Sequence, residues 1–438
     1  VGFDVEAVRA RYPALADGRV WLDGAAGTQV PDAVIDAVTR VYRTGLGNQG
    51  AAFPVSHRLG ELVVDARRAV ADLVGAPDPD GVVFGPSMTA LTYRFASALS
   101  ARWRAGDEIV VTELDHEANL WPWVQAARRV GAVVRTAPLD RLSGTLPAES
   151  VTGLLGDRTR LVAVTAASNL LGSVPDLPAI TSAARRAGAL SYVDGVHHCP
   201  HAVVDVPALG ADVYLSSAYK WYGPHLAAAV ARPELLAELE VDNLRPVHGP
   251  ARFELGTNPF PALAGVVAAV QHLTDPTASP AIGVGESRDR FRPASPAIGV
   301  GESRDSCRRV SRSVSATTDR RATLVAARTA AVAHEQALGT ALVNGLRAID
   351  GVRLLPGWDA ARRTPTATFR IRDAQPAEVA AALDRADINV WHGYAYAVAA
   401  ATALGVRETG GAVRASVNHY NRADDVRRLL DAVRRLCG

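Results

Sequence analysis

Of the 47 basic residues in this 438-residue chain, a single one is lysine. Lys220 stands in Ser216-Ser217-Ala218-Tyr219-Lys220-Trp221-Tyr222-Gly223-Pro224. Arginine would serve a salt bridge or a solvated surface equally well. Guanidinium stays protonated in proteins, whereas a desolvated lysine amine becomes a nucleophile that condenses with an aldehyde. A GC-biased coding sequence explains the arginines, but not why the exception falls in a Ser-Ser-x-x-Lys-x-x-Gly-Pro turn. The chemistry this points to is a Schiff base.

Three further groups have the types and spacing that a pyridoxal-phosphate site needs. Asp194 ends the apolar run Leu190-Ser191-Tyr192-Val193. At the carboxyl end of a parallel strand it could keep a pyridine nitrogen protonated, although an aspartate there also caps turns. Ser87, Met88 and Thr89 follow the run Gly81–Phe84 and open a helical stretch, where free N–H groups and the helix dipole favour a phosphate. His116 follows the run Glu108–Thr112, and its imidazole could lie flat over a cofactor ring. None of these is decisive alone; together, each just beyond a strand and ahead of the lysine, they agree. The cluster His197-His198-Cys199-Pro200-His201 is not read as a metal site, because adjacent side chains diverge and no second ligand group stands at metal spacing.

The elements that must position these residues are legible as alternation. Strand candidates at Gly81–Phe84, Glu108–Thr112, Val133–Ala137, Leu161–Ala167, Leu190–Asp194, Val213–Ser217 and Ala227–Arg232 are separated by helical patterns such as Met88–Trp103, Asn119–Val130 and Leu177–Ala187. Such alternation predicts an α/β domain with a mostly parallel sheet. The C-terminal part predicts a smaller α+β unit: a long helix over Arg321–Ile349, strands at Gly351–Leu355, Thr366–Ile371 and Ala412–Val417, and helices at Pro376–Ala386 and Ala423–Leu436. The expected organisation is an N-terminal segment (1–20), a large domain (21–273), an insertion (274–319) and a small domain (320–438). In the insertion, Ser279–Asp289 recurs unchanged as Ser295–Asp305, and its polar, glycine-containing composition predicts a mobile surface segment without chemistry.

Composition bounds the partners. A net charge of +2 with 21% charged residues offers no field to recruit nucleic acid or an anionic membrane. No apolar run approaches the ~20 residues of a membrane helix, and the start lacks a signal-peptide pattern. Three scattered cysteines, Cys199, Cys307 and Cys437, fit a reducing cytoplasm better than a disulfide framework.

Taken as an ordered set, these residues resemble the class V aminotransferases of fold type I, in the cysteine desulfurase-like branch. The resemblance runs through Trp21–Gln29, the His116 loop, Ser168–Gly172, Asp194–His197, Ser217–Lys220, Phe253–Asn258, Val413–Ser416 and His419–Asn421. It implies a large domain with a mostly parallel sheet and a small α+β domain, binding pyridoxal 5'-phosphate. Lys220 would carry the cofactor and move protons at the substrate Cα, with His116 stacked on the ring. Asp194 would pair with the ring nitrogen and Val196 would pack beneath. His197 stands where relatives have glutamine, beside the phenolic oxygen. Ser87, Met88, Thr89, Ser217 and Tyr219 would hold the phosphate. Thr257 would come from a neighbouring subunit, implying a homodimer with shared sites. Arg414 would clamp the substrate α-carboxylate, with Asn169 and Ala25 beside it.

Desulfurases of this branch carry a cysteine on a mobile loop. Here that loop reads Trp391-His392-Gly393-Tyr394-Ala395-Tyr396-Ala397. From this follows the expectation of an enzyme acting at Cα of an amino-acid-type substrate, a C–S or other β-eliminating lyase or an aminotransferase, and not a persulfide-forming desulfurase. The alternative is an amino-acid epimerase or another pyridoxal-phosphate-dependent enzyme of secondary metabolism. A non-catalytic cofactor sensor is disfavoured, because no helix-turn-helix fits before Asp23. Tyr394 and Tyr396 would contact a substrate larger than cysteine.

Overall fold

The computed structural model describes residues 3–278, 310–359 and 362–438. The duplicated segment and Cys307 lie outside the described residues. The first strand, β1 (Val20–Trp21), is followed by those of the large sheet: β2 (Val82–Gly85), β3 (Glu108–Thr112), β4 (Val133–Ala137), β5 (Thr159–Thr165), β6 (Leu190–Asp194), β7 (Val213–Ser217) and β8 (Ala227–Ala231). The seven-stranded sheet has the order β2-β8-β7-β6-β5-β3-β4. Neighbours from β7 to β4 are parallel, and β8 runs antiparallel to both β7 and β2. The sheet is mostly parallel, as expected, with one reversed strand.

The central strands are apolar along their whole length because helices cover both faces. Val162 and Val164 of β5 pack into one core, with Val70, Ile180 and Val270, while Leu161 and Ala163 pack into the other, with Phe95, Trp123 and Tyr192. Parallel crossovers leave the carboxyl ends of β3, β5, β6 and β7 facing one crevice, where α/β folds bind ligands. The helix Met88–Ser100 starts at that edge, capped by Ser87, whose Oγ accepts from the Ala90 N–H at 3.1 Å. Asp194 is followed by glycine for a steric reason: a Cβ on Gly195 would lie 2.0 Å from the Tyr214 ring.

The small domain carries β9 (Val352–Leu354), β10 (Thr366–Ile371), β11 (Ile388–Asn389), β12 (Trp391–Gly393) and β13 (Ala412–Ser416). Four of these form an antiparallel sheet of order β12-β13-β10-β9, while β11 pairs in parallel with β1. The helix Ala423–Cys437 buries Val426, Leu429, Leu430 and Val433 against this sheet, around Phe369. β1, β11 and β12 are two or three residues long, too short to show a period, and none was expected from the sequence.

A buried polar cluster joins the parts of the chain. The Tyr12 hydroxyl lies 2.8 Å from His272 Nε2 and 2.6 Å from His419 Nε2. His419, from the small domain, stacks on Tyr222 at 3.9 Å with 6° between planes. His201 Nδ1 and Glu335 Oε2 meet at 2.8 Å, and the Tyr222 hydroxyl donates to Glu335 Oε1 at 3.3 Å. Tyr12→Phe keeps the ring and removes the hydroxyl, leaving two buried imidazoles short of a partner. It should cost about 1–3 kcal/mol in urea unfolding followed by circular dichroism. An unchanged midpoint would show that Tyr12 contributes only its ring.

Candidate active site

The cluster around Lys220 lines an inner cavity of about 90 Å³ that meets an outer vestibule of about 500 Å³ at Thr89, His116, Ala118, Asn169, Tyr219 and Lys220. Lys220 ends the turn Ala218–Lys220 just past β7 and is 8% exposed. Burial, with the nearby Arg414 guanidinium, pushes its ammonium pKa down to about 8, and the Asp194 carboxylate offsets part of this. About a tenth of the amine is therefore free at pH 7, far more than at the ordinary lysine value, as condensation with an aldehyde requires.

Asp194 closes β6 and faces the same inner cavity. One of its oxygens accepts from the Val196 N–H at 2.9 Å, which fixes the carboxylate in the crevice. Burial raises its pKa, while that hydrogen bond and Lys220 hold it down. Val196 and His197 line the cavity beside it. His116 Nδ1 accepts from the Ala118 N–H at 3.0 Å, so the ring proton of the neutral form sits on Nε2. Burial, Lys220 and Arg414 push its pKa down to about 4, so the ring is neutral at physiological pH. Beneath it, Asp115 receives Thr112 Oγ1 at 2.5 Å and Asn119 Nδ2 at 2.7 Å, and Asn119 in turn accepts from Trp123 Nε1 at 3.3 Å. This buried chain fixes the His116 loop.

Ser87, Met88, Thr89, Ser217 and Tyr219 all border the inner cavity at the start of the helix Met88–Ser100 and the end of β7. Thr257 lies elsewhere, exposed and lining a separate groove with Phe84, Pro86 and Leu255. On the vestibule side, Arg414 comes from β13 of the small domain, opposite Trp391 of β12. Its Nη1 donates to the Asn169 carbonyl at 2.7 Å, and its buried Nε has no partner. Burial lowers its pKa to about 10, with Asp23 and Tyr219 acting the other way, so it remains a cation. Asn169 Nδ2 donates to the Ala395 carbonyl at 2.7 Å, and its buried Oδ1 is unpartnered. Two adjacent unsatisfied polar groups at a vestibule suit an incoming carboxylate and amine.

Ala25 and Tyr396 line the vestibule, whereas Tyr394 does not. Ala395 and Tyr396 both adopt left-handed φ values, 51° and 55°, which turn the chain so that Tyr396 rather than Tyr394 meets the site. The Glu117 N–H donates to the Tyr396 carbonyl at 2.9 Å, and the Tyr396 ring lies 5.6 Å from that of His116. Tyr93, Glu117, Trp121 and Trp391 also line the vestibule, and Thr165 and Ala118 the inner cavity. Sequence reasoning assigned them no role because they stand in ordinary helix, turn and strand contexts with no local signal.

Among the described residues no group of three His, Cys, Asp or Glu side chains is placed to hold a metal. The three histidines of the 197–201 cluster point apart: His197 to Thr364 and Thr366, His198 to the Tyr214 hydroxyl at 3.1 Å, and His201 to Glu335. The residues fit pyridoxal 5'-phosphate instead. A low-pKa lysine, a buried aspartate, a capped helix start and an unpartnered His197 Nδ1 converge on one cavity.

The class-V aminotransferase family model matches residues 20–281 and 324–429. The chain belongs to that family. Members of this family and fold type bind pyridoxal phosphate, and the architecture here is theirs, a large mixed-sheet domain with a smaller C-terminal α+β domain. A probable cysteine desulfurase of Pseudomonas putida is 33% identical over 97% of this chain and 96% of its own length. An uncharacterized protein of Mycobacterium tuberculosis is 40% identical over 62% of this chain and 69% of its own. The crystal structure of a cysteine desulfurase from Escherichia coli superposes with a TM-score of 0.80 at 26% identity, covering 99% of this chain and 98% of that one.

These relatives overturn the expectation that persulfide-forming desulfuration is excluded. That expectation weighed one loop, whereas the likeness to desulfurases extends over nearly the whole chain. A thiol that accepts sulfur need not belong to that loop. Of the described cysteines, Cys199 is buried, its thiol pushed up to about 12 by desolvation, and neither it nor Cys437 lines the two cavities.

The buried amine sets a pH dependence. Lys220 reacts in its uncharged form, so the rate at which apoprotein takes up pyridoxal 5'-phosphate should rise with pH through a midpoint of about 8. Arg414→Ala removes a positive neighbour and should move that midpoint upward. Stopped-flow absorbance measures both. A wild-type midpoint at the free-lysine value of 10.5, or a downward shift in the variant, would contradict this electrostatic account.

Proposed function

We propose that this chain is a pyridoxal-phosphate-dependent desulfurase that removes sulfur from L-cysteine or a close analogue. The observation that carries the reading is the meeting of Lys220 and Arg414 at one vestibule, in a chain 33% identical over 97% of its length to a probable cysteine desulfurase. When bound, the cofactor withdraws electrons from the substrate Cα and so labilises its substituents. The chain's own residues do the rest. Arg414 and Asn169 orient the α-carboxylate, Lys220 takes and returns the Cα proton, and His116 and Val196 would hold the cofactor ring between them. Asp194 would hold a proton at the ring nitrogen. His197 would hydrogen-bond the phenolic oxygen, and Ser87, Met88, Thr89, Ser217 and Tyr219 would hold the phosphate at the helix start.

The net step breaks the Cβ–S bond of cysteine and forms a bond between that sulfur and an acceptor thiol. Cysteine and a thiol become alanine and a persulfide, and the thiol proton balances the new C–H bond. The acceptor is a thiol of this chain or one supplied externally.

One finding and two further readings frame the protein. No helix among the described residues is long and apolar enough to cross a membrane. Thr257 and Leu255 are exposed beside the large sheet, which supports a homodimer in which Thr257 reaches a partner's phosphate site. The scarcity of cysteine supports a reducing, cytoplasmic setting.

Holoenzyme given L-cysteine and excess dithiothreitol should release alanine and sulfide in equal amounts, and Lys220→Ala should release neither. Arg414→Ala should lower kcat/KM by about 2–4 kcal/mol, and Arg414→Lys should recover little, because the fork geometry is lost. Pyruvate as the product, or no turnover of cysteine by a fully loaded enzyme, would defeat this reading.

A further inference from the structure

His197 is 3% exposed and carries an uneven set of contacts. Its Nε2 lies 3.0 Å from the hydroxyl of Thr364 and 3.0 Å from that of Thr366. Its Nδ1 is buried and has no protein partner, although the ring lines the inner cavity. The hydroxyls form a continuous set. Thr364 Oγ1 reaches Thr366 Oγ1 at 3.1 Å and the Gly172 carbonyl at 3.4 Å, and Thr366 Oγ1 meets Ser416 Oγ at 2.9 Å. All of these side chains are buried, and all but His197 and Gly172 come from the small domain or the segment leading into β10.

Burying three hydroxyls and an imidazole together is costly unless every proton is used. One assignment uses them all when an anionic oxygen occupies the cavity. Ser416 donates to Thr366, Thr364 donates to Thr366 or to Gly172, and Thr366 donates to His197 Nε2. Nε2 is then the acceptor, and the ring proton must sit on Nδ1, the nitrogen of this cavity-lining ring that has no protein partner. The opposite tautomer would turn a bare nitrogen lone pair toward that oxygen.

We infer that Thr364 and Thr366 are positioning residues that hold His197 as the Nδ1–H tautomer, so that a hydroxyl pair of the small domain sets the hydrogen bond to the bound cofactor's phenolic oxygen. A glutamine at this position could always turn an N–H₂ toward the oxygen, whereas a histidine donates there only if its other nitrogen is kept as an acceptor. The groups that bear on His197 electrostatically are His201, whose ring centre is 5.3 Å away, Lys220, Arg414 and His198. Burial above all, and then each of these groups, disfavours a second proton on the ring, which keeps it neutral and leaves the tautomer as the variable. This inference rests on the cofactor site and not on the identity of the substrate, so it stands or falls apart from desulfuration.

The test reads the visible absorbance of substrate-free holoenzyme as a function of pH. A donor to the phenolic oxygen stabilises its negative charge and so favours the deprotonated form of the chromophore. Thr364→Val/Thr366→Val should therefore move the titration midpoint upward by on the order of one pH unit, the size expected for one hydrogen bond. Thr366→Ser, which keeps the hydroxyl, should leave the midpoint in place. In a His197→Gln background the same double substitution should produce no shift, because an amide has no tautomer to fix. An unmoved midpoint in the double variant would overturn the inference. So would an equal shift in the His197→Gln background, which would mark the threonines as packing residues only.

Discussion

The constraint on which the site depends is the desolvation of one amine. Moving the Lys220 pKa from 10.5 to about 8 is a differential cost of roughly 3 kcal/mol against the charged form. The fold bears this cost by enclosing the turn after β7 between the sheet edge and the small domain, with Arg414 close enough to add repulsion. The Asp194 carboxylate offsets part of it. The same burial keeps His116 and His197 neutral. One buried crevice therefore holds a depressed-pKa amine and two neutral imidazoles together.

That crevice is completed from both domains. The large sheet supplies Lys220, Asp194 and His116 from the carboxyl ends of β7, β6 and β3, the edge where parallel sheets open to ligands. The small domain supplies Arg414 on β13 and the threonines that hold His197. The cluster of Tyr12, Tyr222, His272, Glu335 and His419 ties the N-terminal segment to both. Because substrate carboxylate and cofactor would be gripped from different domains, the packing between them bears directly on the geometry of the reaction.

How much of this was legible in the sequence follows from the range of each signal. Lys220, Asp194 and His116 each stand just past an apolar run, and the strand alternation places such positions at one sheet edge. Their convergence on a cavity could therefore be read locally. Thr364 and Thr366 could not, since their partner His197 is 167 and 169 residues away and nothing around them departs from an ordinary strand entry. The two-residue strands β1 and β11 identify themselves only by pairing with each other. Tyr394 and Tyr396 look equivalent in the sequence, and only the left-handed turn at Ala395 and Tyr396 separates their positions. The missing loop cysteine misled for a related reason: a local feature was asked to decide a reaction that the whole chain's likeness to desulfurases speaks to more strongly.

The central claim is that Lys220 is the amine that carries the cofactor. Borohydride reduction of the holoprotein followed by peptide mapping tests it most directly. The account predicts an irreversible pyridoxyl label on Lys220 in the peptide containing Ser217-Ala218-Tyr219, and no label in Lys220→Ala. A folded, colourless protein that takes up no pyridoxal phosphate, or a label confined to the N-terminal amine, would contradict it.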